Sequence, residues 1–204
     1  MRKVDDPATR QRNPRGQGTR LREEIIAGAT EILERTGAEE SVTLRSVARE
    51  IGIAAPSIYA HFPDREAILL AVVDAAFDDL RAALAEAVDP RAEPVARLLA
   101  GCRAYVRFAV SRPGRYRVLF GRTRAAGAPE LRPGRLDVFQ ILVDSIAACA
   151  AAGGSASTDP FTDAIALWSA MHGTVMLRAA AESFPWPPLE PSTDELVQRL
   201  ARLT

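Results

Sequence analysis

Two histidines and two cysteines, His61, His172, Cys102 and Cys149, are the only ones in 204 residues. Metal centres and activated nucleophiles need such groups to converge, and here they are spread along the chain. Ser169 and His172 fall within one helical turn, yet no carboxylate is placed to orient the imidazole. No His-Glu-x-x-His, phosphate-binding glycine loop or Gly-x-Ser-x-Gly occurs. The sequence therefore predicts no enzyme, no catalytic residue, no metal and no cofactor. Cys102 and Cys149 lie on apolar helix faces, the pattern of small buried hydrophobes in a reducing compartment.

The remaining chemistry is electrostatic. Twenty-six cations balance twenty-six anions, so affinity for a polyanion has to come from placement. Residues 1–22 hold seven cations, Arg2, Lys3, Arg10, Arg12, Arg15, Arg20 and Arg22, against only Asp5 and Asp6. Residues 1–18 read as a disordered basic arm, either merely solvated or resting on phosphates. The first twenty residues lack an apolar core of the signal-peptide kind. The apolar run at 164–177 is interrupted by Ser169, His172 and Gly173, and falls short of the roughly 20 residues a bilayer requires. The expectation is a cytoplasmic protein with no membrane partner.

The elements that would position these groups read as helices throughout. Thr19 can cap a first helix bearing Leu21, Ile25, Ala29, Ile32 and Leu33, stopped by Gly37. Thr43 can cap a second, with Val42 and Val47 as a hydrophobic staple and Gly52 as its stop. A third helix spans 55–61, and Asp64 caps a long fourth. Further helical stripes follow, with Pro113-Gly114 expected to end the fifth and a short helix over 116–120. Gly153-Gly154 should end the next long one, and Phe161, Ile165, Trp168, His172, Val175 and Ala179 line another. Ser192 and Glu195 form a capping box for a last helix reaching Leu203.

Residues 43–62, TLRSVAREIGIAAPSIYAHF, have the layout of a helix-turn-helix: an amphipathic helix, a glycine turn and a second short helix. The longer run from Arg22 to Leu70, ending in Tyr59-Ala60-His61-Phe62-Pro63-Asp64-Arg65-Glu66, closely resembles the DNA-binding domain of the tetracycline-repressor family. That resemblance implies an all-α fold of about nine helices. A three-helix helix-turn-helix domain at 19–65 would pack on a larger antiparallel helical domain at 66–204, which senses a ligand and dimerises. It implies double-stranded operator DNA as partner and a homodimeric repressor as the working form; an activator, or a regulator answering to a protein partner, would share the motif.

Carried over by residue, Thr43 would meet a phosphate, and Arg45 and Ser46 would face the backbone or groove edge. Tyr59, His61 and Arg65 would hydrogen-bond phosphates, contacts that set register without reading sequence. Base reading would fall to Ala54, Ala55, Ser57 and Ala60. Alanines at 54 and 55 depart from the Ser/Thr-then-Lys pattern common in the family, so specificity should lean on apolar contacts, Arg45 and DNA shape.

Residues 104–121 and Trp168-x-x-x-His172-Gly173 resemble the Trp-His-Gly subtype of the family's C-terminal domain. His172 is either a core residue bonded to a neighbouring carbonyl or one of few polar groups in an effector pocket. Candidate walls of that pocket are Phe77, Tyr105, Phe108, Phe120, Phe139, Leu142, Trp168, Met171, His172 and Met176, which suit a small apolar or amphipathic effector. The last two helices, about 161–181 and 194–203, would pair with a symmetry mate.

Overall fold

The computed structural model describes residues 17–120 and 133–204; most of the basic arm therefore lies outside the described residues. Nine α-helices and no strand occur among them. They are α1 (Gln17–Thr36), α2 (Leu44–Glu50), α3 (Ala55–Tyr59), α4 (Arg65–Ala87), α5 (Pro94–Ser111), α6 (Pro113–Phe120), α7 (Pro133–Ala151), α8 (Pro160–Ala180) and α9 (Leu189–Leu200). None is long and apolar enough to cross a membrane.

Two hydrophobic clusters organise the helices. The first gathers Ile25, Ile32, Val42, Val47, Ile58, Phe62, Ile68 and Leu69 from α1 to the first half of α4. The second takes Val73, Phe77 and Leu80 from the rest of α4 and adds α5 through α9. Helix α4 thus belongs to both cores, and they divide between Val72 and Val73. Val118 of α6 packs against both.

Helix α6 begins at Pro113, three residues earlier than expected. Proline is tolerated in a first turn, where its missing N–H has no partner to lose. Gly114 then lets α6 press against α1: a β-carbon there would stand 2.8 Å from Glu34 Cα. Helix α9 also differs from expectation. It opens at Leu189, not at the Ser192 box, and Ser192 Oγ donates back to the Pro188 carbonyl at 2.6 Å inside the helix. Pro188 as N-cap and Pro191 within the first turn occupy places where an N–H is unpaired anyway. The helix stops at Leu200, and Leu203 instead bridges to Ser155.

Helix α8 is rotated from its predicted face. Its buried side is Asp163, Ala164, Leu167, Met171 and Val175, while Phe161 and Ile165 are exposed. Apolar residues run nearly all round this helix, so the one-dimensional pattern did not single out a face.

Candidate nucleic-acid interface and sensor core

The helix-turn-helix is assembled by local bonds. Thr43 caps α2 by accepting from Ser46 N at 3.0 Å, and Ser46 Oγ accepts from Thr43 N at 2.8 Å. Ser46 Oγ also donates to the Ser41 carbonyl at 2.7 Å, leaving it half-buried and locally committed. Arg45, next to it, is exposed. Gly52 adopts φ +71 in the turn, a conformation that side chains with a β-carbon rarely take. Ile53 N–H then reaches back to the Ala48 carbonyl at 2.9 Å.

Helix α3 has five residues, too few to stand alone in water. Ile58, at 0% exposure, pins it to the first core, with Phe62 buried just beyond. The opposite side is open: Ala54, Ser57 and Ala60 are exposed, and Tyr59 is 61% exposed. Ala55, expected among the base readers, turns partly inward and packs against the core. His61 is half-buried.

Arg65 was expected to hold a phosphate. Its Nε donates to the Val42 carbonyl at 2.8 Å and its Nη2 to the Glu39 carbonyl at 2.6 Å. The guanidinium thereby ties the start of α4 to the chain entering α2, and it fixes where α2 points. From the sequence, Arg22 has no role beyond its charge and its place at the head of the Arg22–Leu70 run. It lies on α1 with its guanidinium 4.9 Å from the centre of the Phe62 ring, beside the end of α3. Its spacing from Phe62 gave no local signal, since forty residues separate them.

Of the candidate pocket residues, Phe77, Tyr105, Phe108 and Met171 are buried core members, and Phe120, Phe139, Leu142 and Trp168 pack against them half-exposed. Met176 is a correction: it is 42% exposed, on the outer side of α8 with Leu177. Val175 takes the inward place, and the next residue on a helix points about 100° away from it.

Among the described residues, His172 bonds no carbonyl. Its Nδ1 lies 2.6 Å from the Tyr116 hydroxyl, which lies 2.8 Å from the Tyr105 hydroxyl. Trp168 Nε1–H donates to that second hydroxyl at 3.1 Å. The bonded line joins α8, α6, α5 and α8 again. Burial lowers the His172 pKa, favouring the neutral ring, and pushes Tyr105 up to about 12 and Tyr116 higher still. Both phenols therefore keep their protons at neutral pH. Sequence reasoning missed Tyr116, whose partners Tyr105 and His172 stand 11 and 56 residues away on other helices.

One residue before Tyr116, Arg115 donates from Nε to Glu34 of α1 at 3.0 Å and from Nη1 to Asp79 of α4. Glu34 and Arg115 also line a cleft of about 360 Å³ with Ser111, Arg112, Pro113, Gly114 and Arg117. Helix α6 thus touches the aromatic line on one side and both α1 and α4 on the other.

A sealed three-helix unit that leaves one short helix bare on its outer side, seated on a larger helical body, is the architecture of an all-α DNA-binding regulator. Residues 25–72 match the family described as "Bacterial regulatory proteins, tetR family", and 98–203 match "Tetracyclin repressor-like, C-terminal domain". The chain belongs to the tetracycline-repressor family and is a DNA-binding transcriptional regulator.

An uncharacterized HTH-type transcriptional regulator of Mycobacterium tuberculosis (strain ATCC 25618 / H37Rv) is 31% identical over 157 residues, 76% of this chain and 69% of that protein. A nucleoid occlusion factor of Photobacterium profundum is 24% identical over 103 residues, about half of each chain (50% and 53%). Among solved structures, a protein of unknown function from Rhodococcus sp. RHA1 superposes with a TM-score of 0.71 at 28% identity, covering 89% of this chain and 91% of that one. A TetR-like transcriptional regulator from the same organism gives 0.67 at 18% identity, covering 93% and 96%. The second supports the fold alone.

Proposed function

We propose that the protein is a homodimeric repressor, released from a palindromic operator when a small, largely apolar effector enters the body formed by α4 to α8. The observation that carries this reading is α4 itself. One helix is built into both cores, and it is fixed to the reading unit by Arg65 and to the sensor through Asp79 and Arg115. Two α3 helices must stand about 34–36 Å apart to enter successive major grooves on one face of a duplex. An effector favouring another tilt of α4 changes that spacing, and release draws only on its differential affinity for the two forms.

In this reading residues 19–65 are the DNA-binding domain, 66–204 the sensing and dimerising one, and the arm before them adds phosphate contacts. Thr43, Arg45, Tyr59 and His61 hold the duplex backbone, while Ala54, Ser57 and Ala60 meet base edges. The dimer forms through α8 and α9. Phe161, Ile165, Met176 and Leu177 leave an exposed apolar stripe along α8 that a second copy would cover. The protein works in the cytoplasm and catalyses no reaction.

The test is selection of genomic fragments on the purified protein, followed by footprinting. Paired half-sites one helical turn apart, protected by a dimer, are the expected result. Protection of a single half-site by a monomer would overturn the reading.

A further inference from the structure

One fixed donor decides how every proton in the aromatic line is arranged. The Trp168 indole N–H can only donate, so the Tyr105 oxygen accepts from it. The Tyr105 O–H is then free to donate to the Tyr116 oxygen, and the Tyr116 O–H to His172 Nδ1. An Nδ1 that accepts is unprotonated, so the neutral ring carries its proton on Nε2. Reversing the line would point two donors at the Tyr105 oxygen and leave that residue's own proton with no place in the chain.

His172 is half-buried, and no hydrogen bond engages its Nε2 among the described residues. Nor is Nε2 sealed away: the one partnerless, fully enclosed polar side-chain atom among those residues is Arg178 Nε. Among the described residues, the groups in bonded or ring contact with the imidazole are uncharged. They are Tyr116, Phe120 at 4.8 Å between ring centres, and Trp168 at 6.5 Å. Phe139 extends the aromatic wall, 5.8 Å from Trp168.

We infer that Trp168, Tyr105 and Tyr116 act as a proton-orienting relay that presents His172 Nε2–H to the effector, and that the effector is a neutral, planar molecule carrying a carbonyl-type acceptor. The inference rests on the effector reading above and adds the ligand's chemical class. Ring faces and edges around His172 suit a flat partner. A single outward N–H donor selects an acceptor atom, and leaving that donor unmatched on ligand entry penalises a plain hydrocarbon.

The test uses the full chain labelled with ¹⁵N at histidine, its two imidazoles told apart by His61→Gln. Two-bond couplings should show His172 protonated on Nε2 at pH 7.5, and Tyr116→Phe should turn it into a mixture of tautomers. A His172 protonated on Nδ1 would overturn the inference, as would a tautomer indifferent to loss of the Tyr116 hydroxyl.

The same resonances, with the Trp168 indole, then report titrations with 1-tetralone, tetralin and benzoate. Tetralone should bind up to about tenfold more tightly than tetralin, the scale of one net hydrogen bond, with benzoate weakest. His172→Phe should erase the preference and keep tetralin binding; if that variant does not fold, the probe pair on the parent protein decides. Equal binding of ketone and hydrocarbon, or tightest binding of benzoate, overturns the ligand class alone. A correct tautomer with none of the three probes bound overturns the effector reading of this cluster as well.

Discussion

The two cores that share α4 are built from different materials. The buried members of the first are aliphatic, with Phe62 as their one aromatic. Its polar side chains are satisfied at the edges, by the Thr43–Ser46 box, the Asp64 cap on Ala67 N and Arg65 on two carbonyls. The second buries Phe77, Tyr105, Phe108 and Tyr116 and carries a hydrogen-bonded line through its interior, with half-exposed Phe120, Phe139, Trp168 and His172 at one end. Close-packed aliphatics fix a single arrangement. Large rings and a polar line open to one side are what a recognition site uses. On the function proposed above, the reading head is built to hold its shape and the body to take up a ligand.

If so, damage to the first core should be felt as stability and damage to the second as response. Ile58→Ala is the most severe test. It removes the fully buried anchor of a five-residue helix and should cost about 2–5 kcal/mol, seen as a lower urea midpoint, with operator binding abolished. Near-wild-type binding would show that α3 does not depend on this core. Gly114→Ala attacks the contact between the regions. Its β-carbon would stand 2.8 Å from Glu34 Cα, and prising α6 from α1 should cost about 1–3 kcal/mol. A neutral melting curve would mean that α6 and α1 do not bear on one another.

The regions also differ in how much of them the sequence disclosed, for the same physical reasons. Thr43, the Val42–Val47 staple, Gly52 and the Asp64 cap act within a few residues, so order along the chain exposes α2, the turn and the start of α4. What Arg65 and Arg22 do was hidden, because their partners come from other elements. In the body, helix count and most boundaries were legible from period and punctuation. The buried face of α8 was not, because its apolar residues surround it. The start of α9 was hidden because Pro191 stands ahead of the Ser192 box, and a proline is harmless in a first turn. The Tyr105–Tyr116–His172 line joins three helices, and no spacing within any one of them announces it.

On the reading side, smaller effects separate positioning from sequence reading. Arg45 and Tyr59 are exposed, so Arg45→Ala and Tyr59→Phe should leave the melting temperature within about 2 °C, as surface changes do. Both should weaken binding to all operators about equally. Only Arg45→Ala should also flatten the salt dependence, by roughly 0.9 in log–log slope for each phosphate no longer neutralised. Ser57→Ala should instead reorder preferences among operators; an unchanged profile removes Ser57 from the base-reading set.

The mildest test lies in the body and is a slope rather than a loss. Burial lowers the His172 pKa below that of the unfolded chain, so below about pH 6.5 the unfolded state binds a proton that the folded state resists. Stability from this group is therefore complete above the unfolded value and is lost as pH falls towards the folded one. Protonation also turns Nδ1 into a donor and sets it against the Tyr116 O–H, which opposes the same line. Melting temperature measured from pH 7.5 down to 5.5 should fall more steeply for the parent protein than for His172→Gln, which cannot titrate. Parallel curves would mean that the imidazole is equally easy to protonate in both states, and that the interior line does not hold it neutral.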